Sequence, residues 1–198
     1  NRAENNFFSS MSHEIRTPIN TIIGLNEIIL REDISDEVAE NARNIQGASK
    51  LLLTLINDIL DISKIKSGKM EIVNVSYETG ALFSEIVNMI WIKAKEKGLE
   101  FKLHVDPSIP SMLCGDEVRI KQILINLLSN AVKYTSEGSV TLSVRCERQA
   151  VNRVRVWYSV EDTGLGVKKE NIPYIFNAFR RVDEEKNRYI EGTGLGLS

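Results

Sequence analysis

The first third of the chain carries an apolar repeat that leaves few folds open. Phe8, Met11, Ile15, Pro18, Ile22, Leu25 and Ile29 recur at alternating steps of three and four. That is a heptad seam, which marks helices packed along their length. It predicts a helix over about 6–31, kinked at Pro18, where a backbone donor is lost and the ring clashes with the preceding turn. Glu32, Asp33, Ser35 and Asp36 suggest a turn, with Ser35 or Asp36 as the next cap. A second seam follows over about 36–66: Val38, Ala42, Ile45, Ala48, Leu52, Leu55, Ile59 and Ile62. Gly68 is a natural stop. Two such helices joined by a short turn form an antiparallel hairpin. Ile19, Ile23, Ile28 and Leu30 widen the first stripe, and Leu51, Ile56 and Leu60 widen the second. One hairpin cannot bury stripes that wide. A homodimer closing a four-helix bundle would; packing against the rest of the chain is the alternative.

The pattern changes near Ser67-Gly68-Lys69. Residues 1–67 therefore read as one domain and 68–198 as another, a division that suits a chain of 198 residues. The second part reads strand (Met70 to Tyr77), helix (Thr79 to Glu96), strand (Leu99 to Val105) and helix (Asp116 to Tyr134). Two hairpin strands follow, Ser139 to Glu147 and Arg153 to Asp162. Helices on a mixed sheet give an α+β sandwich. A short helical piece is expected at Ile172 to Phe179. The segment Val167 to Glu191 is long for a loop and holds the charged run Asp183 to Arg188, so it reads as a solvated loop or a lid.

Composition narrows the function. The net charge of −2 offers no global field for nucleic acid or an anionic membrane. Cys114 and Cys146 stand far apart and form no metal-spaced pair, which fits a reducing compartment. No apolar run reaches the ~20 residues of a membrane span. No membrane contact is expected of this stretch, although an anchor upstream is compatible with it.

Four short segments carry chemistry. His13 falls between seam positions Met11 and Ile15, so it should face water. An ordinary imidazole pKa of ~6.5 leaves a ring nitrogen free to attack at neutral pH. Glu14 beside it is a candidate base or ring-orienting group. Thr17, one turn on, shares its face and could position a water. An isolated exposed histidine would mean little, and His104, in a strand, reads as structural. Asn126 and Asn130 stand four apart on one helix face, and neutral amide oxygens suit a Mg²⁺ held mainly by phosphate and water. Lys133 and Tyr134 follow, offering a cation and a phenol to phosphates. Asp162-Thr163-Gly164-Leu165-Gly166 ends a strand, with a carboxylate able to accept from an adenine amino group and glycines that permit close approach. Gly192-Thr193-Gly194-Leu195-Gly196 can turn backbone amides toward phosphates. Neither glycine segment is a P-loop or a dinucleotide-binding fingerprint.

In order, these segments resemble the boxes of sensor histidine kinases. Ser12-His13-Glu14-Ile15-Arg16-Thr17-Pro18-Ile19-Asn20 is similar to the phosphoacceptor box. Asn126 to Thr135 resembles the asparagine box, Asp162 to Gly166 the first glycine box, Ile175 to Phe179 the phenylalanine box and Gly192 to Gly196 the second glycine box. The resemblance implies a Bergerat-type ATP-binding fold, shared with ninety-kilodalton heat-shock chaperones, type II topoisomerases and the mismatch-repair ATPase. It implies ATP and Mg²⁺, with Asn130 the metal ligand and Asn126 near the metal or its waters. Asp162 would read adenine, and Arg181 would reach the terminal phosphate from beneath a lid. It further implies autophosphorylation of His13, supported by Glu14, then transfer to a receiver-domain aspartate on a response regulator, with Thr17 supporting phosphatase activity. The setting would be the cytoplasmic part of a two-component sensor. The wording of the boxes is like that of hybrid kinases. The family continues past the second glycine box, so the catalytic domain is expected to be incomplete at Ser198. Rival readings are a chaperone-type ATPase, which needs a catalytic glutamate where Asn126 stands, and a scaffold that binds a receiver domain without catalysis.

Overall fold

The computed structural model describes residues 2–175. The chain divides into two compact units, Asn1–Glu71 and Ile72–Ser198.

The first unit is a helical hairpin of α1 (Arg2–Ile29) and α2 (Asp36–Lys66). Ser35 caps α2: its Oγ accepts from Val38 N at 3.4 Å, and Asp36 and Glu37 favour the positive helix start. α1 runs on through Pro18. Proline has no N–H, so the Glu14 carbonyl lacks its intrahelical donor. The faces differ from the expected seams. Ile19 and Asn26 of α1 and Ala39, Ala42 and Ser49 of α2 are buried, whereas Ile22, Leu25, Ile29, Val38, Ile45 and Leu52 stay exposed. Ile19 from the flank and Ala42 from the second seam close the hairpin together with Asn26, Ala39 and Ser49, and most of the heptad seam is left outside. Small residues on α2 let the helices approach, and Asn26 Nδ2 donates to the Ala42 carbonyl at 2.9 Å, satisfying a buried amide.

The second unit has the order β1 (Val75–Glu78), α3 (Thr79–Glu96), β2 (Glu100–Val105), β3 (Met112–Gly115), α4 (Glu117–Tyr134), β4 (Ser139–Ala150), β5 (Arg153–Asp162), then a 3-10 turn at Lys169–Tyr174. β1 pairs antiparallel with β3, and a three-stranded sheet has the order β2-β4-β5. β2 and β4 are parallel and β4 and β5 antiparallel. The expected α+β sandwich is present. Three details differ. The first strand is confined to Val75–Glu78, β3 had no counterpart in the sequence reading, and the helical piece begins earlier, as a 3-10 turn. β3 escapes notice because four residues cannot establish an alternation.

Helices and sheet share one core. Leu82, Ile86 and Ile90 of α3, Leu124 and Leu128 of α4, and Val140, Leu142 and Val144 of β4 are all nearly or fully buried. β4 alternates over Ser139 to Val144, so Thr141 and Ser143 point away from the helices. Tyr77 of β1 and Tyr158 of β5 are hydrogen-bonded through their hydroxyls, and burial pushes both phenols up.

Asp116 fastens both ends of this arrangement. Its Oδ1 accepts from Arg119 N at 3.1 Å, capping α4, and its Oδ2 accepts from Val73 N at 3.0 Å. The bonds from Val73 and Arg119 hold the carboxyl below its ordinary value of 3.8. A carboxyl depressed in the folded state stabilises it fully above that ordinary value. The contribution is lost as pH falls from there through the folded pKa. Asp116→Asn should therefore lower the denaturation midpoint of this unit at pH 7, and the difference from wild type should shrink below pH ~4. A gap that stays constant across that window would show that the charge plays no part.

Candidate nucleotide and phosphoacceptor site

α4 carries four of the candidate residues because its length and phase do. Asn126 and Asn130 lie one turn apart, and Lys133 and Tyr134 end the helix. All four are half-buried, since the opposite face of α4 is spent on Leu124, Leu128, Ala131 and Val132 in the core. Neither asparagine amide is hydrogen-bonded among the described residues. The Lys133 ammonium stands 5.1 Å over the Tyr134 ring.

The strand-end segment 162–166 closes onto the last turn of that helix. Gly164 N donates to Asp162 Oδ1 at 2.9 Å, and Leu165 N reaches the Tyr134 carbonyl at 3.4 Å. A Cβ on Gly164 would fall 2.5 Å from the Tyr134 carbonyl oxygen, 2.8 Å from Asp162 Oδ1 and 2.9 Å from Thr135 Oγ1. Only glycine fits there. Gly166 has φ +65°, a left-handed conformation that glycine adopts without strain. Asp162 is exposed at the rim, one carboxylate oxygen committed to the turn.

Three further residues hold the site together, Thr163 and Thr135 from within the motifs and Lys97 from outside them. Thr163 Oγ1 accepts from Ser139 N at 3.0 Å and donates to the Glu137 carbonyl at 3.1 Å, which ties the glycine segment to the turn before β4. Thr135 is fully buried and donates to the Ala131 carbonyl at 2.7 Å. Lys97, at the end of α3, donates to the carbonyls of Val132, Lys133 and Thr135 at 2.9, 2.8 and 2.9 Å. The sequence offers no signal for Lys97, because its partners are backbone atoms some 35 residues away. Thr163 was visible inside its box, but its role needs the geometry.

Asn126, Asn130, Lys133, Tyr134, Asp162, Gly164 and Gly166 thus lie on two segments that meet at one end of α4. Arg181, the second glycine segment (Gly192, Thr193, Gly194, Gly196), the phenylalanine box beyond Ile175 and the lid beyond that residue lie outside the described residues. Among the described residues no group of three or more His, Cys, Asp or Glu could hold a metal by itself. The donors present are neutral amides, which fits Mg²⁺ carried mainly by phosphate oxygens.

The phosphoacceptor residues lie on the other unit. His13 is helical in α1, and its side chain lies outside the described ones. Glu14 and Thr17 are exposed. Arg16 Nη2 donates to Asn57 Oδ1 of α2 at 2.8 Å. Close by in sequence, Asp58 has its carboxyl pushed up by burial and then by Asp61. No described helix is long and apolar enough to cross a membrane.

Comparison with known proteins finds two family matches. The His Kinase A (phospho-acceptor) domain family matches residues 3–68. The family of histidine kinase-, DNA gyrase B- and HSP90-like ATPases matches residues 115–198. Hybrid signal transduction histidine kinase B of Dictyostelium discoideum is 37% identical over 198 residues, covering 100% of this chain and 10% of that protein. The crystal structure of full-length ShkA in complex with AMPPNP is similar with a TM-score of 0.76 and 30% identity, over 97% of this chain and 39% of that one. Histidine kinase ThkA, solved in complex with response regulator protein TrrA, aligns with a TM-score of 0.50 and 26% identity, over 89% of this chain and 50% of that one. The chain spans from 9% to 27% of the length of the curated relatives it matches.

Proposed function

Since the chain belongs to the histidine kinases, with their phosphoacceptor domain followed by their ATPase domain, we propose that it phosphorylates its own His13 from ATP and passes the phosphoryl group to an aspartate of a response regulator. Residues 1–67 serve dimerisation and phosphotransfer, and 68–198 serve ATP binding. The observation that carries the reading is the closure of Asp162 and Gly164 onto the last turn of α4. It brings glycine backbone close to the helix turn that carries amides, a cation and a phenol.

Asp162 accepts from the adenine amino group with the oxygen its turn leaves available. Gly164 and Gly166 admit the base, and Lys133 and Tyr134 face the phosphates, with the Gly192 to Gly196 segment closing over them and Arg181 meeting the terminal one. Asn130 and Asn126 would hold Mg²⁺ or its waters, and the ion would supply neutralisation of phosphate charge. A His13 ring nitrogen attacks the γ-phosphorus. The P–N bond forms as the P–O bond to ADP breaks, and ADP leaves with that electron pair. The ring's other N–H then gives up its proton, with Glu14 orienting the imidazole. Thr17 positions water for the opposite task, hydrolysis of the regulator's acyl phosphate. Placement and charge neutralisation supply most of the acceleration in such transfers.

Two features support the assembly. The exposed stripe of Ile22, Leu25, Ile29, Val38, Ile45 and Leu52 needs cover, and a second copy closing a four-helix bundle supplies it. The ThkA–TrrA complex supports a receiver domain docking beside His13. Hybrid relatives support membership in a signal-transduction phosphorelay.

Incubation with γ-labelled ATP and Mg²⁺ tests the reading. Wild type should acquire acid-labile, alkali-stable label, and His13→Gln should acquire none while binding nucleotide as before. Label that persists in His13→Gln would overturn the assignment.

A further inference from the structure

We infer that Asn57 is a positioning residue for phosphoryl transfer, holding the Arg16 guanidinium beside the phosphoryl group on His13 without neutralising its charge. The inference rests on His13 being the acceptor.

Arg16 lies three residues after His13 on α1, and residues at that spacing are surface neighbours on a helix. Long helical side chains lean toward the helix N-terminus, which carries Arg16 toward the level of His13. A free arginine would sample many rotamers. Here Nη2 is fixed across the hairpin, donating to Asn57 Oδ1 at 2.8 Å in a half-buried setting. The chemistry of the partner matters more than the tether. A carboxylate would bind the guanidinium bidentately and cancel its charge. An amide oxygen accepts from one or two of the five N–H donors and carries no charge. Arg16 therefore keeps its positive charge and most of its donors for a third party. That third party should be a dianionic oxygen cluster, because the residue proposed to become phosphohistidine stands three positions before Arg16 on the same helix.

The roles differ in sign from those of the neighbouring acids. Asp58 and Asp61 follow Asn57 on the same helix, and burial and mutual repulsion push Asp58 toward its neutral form. Placing a third acid at position 57 would add negative charge where the phosphoryl group must arrive. An amide gives the same reach as a carboxylate without that cost.

The test uses the whole chain and four variants, Asn57→Ala, Asn57→Asp, Arg16→Ala and the double variant Arg16→Ala/Asn57→Ala. Initial autophosphorylation rates are measured across ATP concentrations, with helix content and melting followed in parallel. Asn57→Ala should lower the saturating rate by about tenfold to a hundredfold and leave the KM for ATP unchanged, since nucleotide binds the other unit. The double variant Arg16→Ala/Asn57→Ala should be no slower than Arg16→Ala alone. Asn57→Asp should keep or raise the melting temperature, because the tether becomes an ion pair, and still be slow. That last split separates positioning from architecture: a merely structural Asn57 would be rescued by Asp. Rates within twofold of wild type for Asn57→Ala, full rescue by Asn57→Asp, or losses that multiply in the double variant would each overturn the inference. An unlabelled wild type would instead refute the kinase reading itself.

Discussion

Gly164→Ala should abolish nucleotide binding and destabilise the second unit by about 1–3 kcal/mol, the usual cost of an overpacked site. The added methyl would lie 2.5 Å from a backbone carbonyl oxygen at Tyr134 and 2.9 Å from the hydroxyl of Thr135, a fully buried side chain. Neither neighbour can swing aside. The Tyr134 carbonyl belongs to the last turn of α4, which Lys97 fastens from outside. The glycine segment must retreat instead, breaking its bonds to Asp162 and Tyr134 and displacing the backbone that the proposed site offers to the base. Gly166→Ala is the control. No atom lies within 4 Å of its Cβ, so only the left-handed φ of +65° is penalised. That costs about 1–2 kcal/mol and should leave weakened but measurable binding. Titration with a fluorescent nucleotide, alongside a thermal melt, reads both. Wild-type affinity in Gly164→Ala would remove the glycine segment from the nucleotide site.

Leu128→Ala should cost more stability than any surface change. Leu128 is fully buried in α4, packed among α3 and β4 residues. Deleting its side chain removes transfer energy and leaves a cavity, together about 2–5 kcal/mol. The loss should be confined to the second unit. The chain's two tryptophans, Trp91 and Trp157, both belong to that unit. Tryptophan fluorescence in denaturant should shift to a lower midpoint, while the hairpin's share of the helical signal keeps its own transition. Coincident shifts in both signals would mean the units unfold as one.

Much of this was legible beforehand, and the exceptions have causes. α2 begins at Asp36 and α3 spans Thr79–Glu96 as the periodicity predicts, because long apolar repeats and capping residues are local signals. The division of labour on the hairpin was not legible. Ile22 and Ile19 are equally apolar, and only the hairpin's own packing decides that Ile19 goes inside and Ile22 stays out. The candidate site divides in the same way. Asn126, Asn130, Asp162 and Gly164 could be named because side-chain chemistry and glycine are visible in the sequence. Lys97 and Thr163 could not, because they act on carbonyls and amides that every residue possesses.

The direction of α4 also has an electrostatic consequence. A P-loop brings phosphates to the amino end of a helix, where the macrodipole is positive. In the proposed site the glycine segment meets the carboxyl end of α4, whose dipole repels anions. Lys97 places an ammonium on three of those terminal carbonyls, and Lys133 adds a second positive charge in the last turn. The helix end is thereby turned from a repulsive pole into a neutral or mildly positive one. In the proposed site, the share of triphosphate affinity contributed by this helix end rests on screened point charges and should fall with added salt, more steeply than the share contributed by the amides of the Gly192 to Gly196 segment.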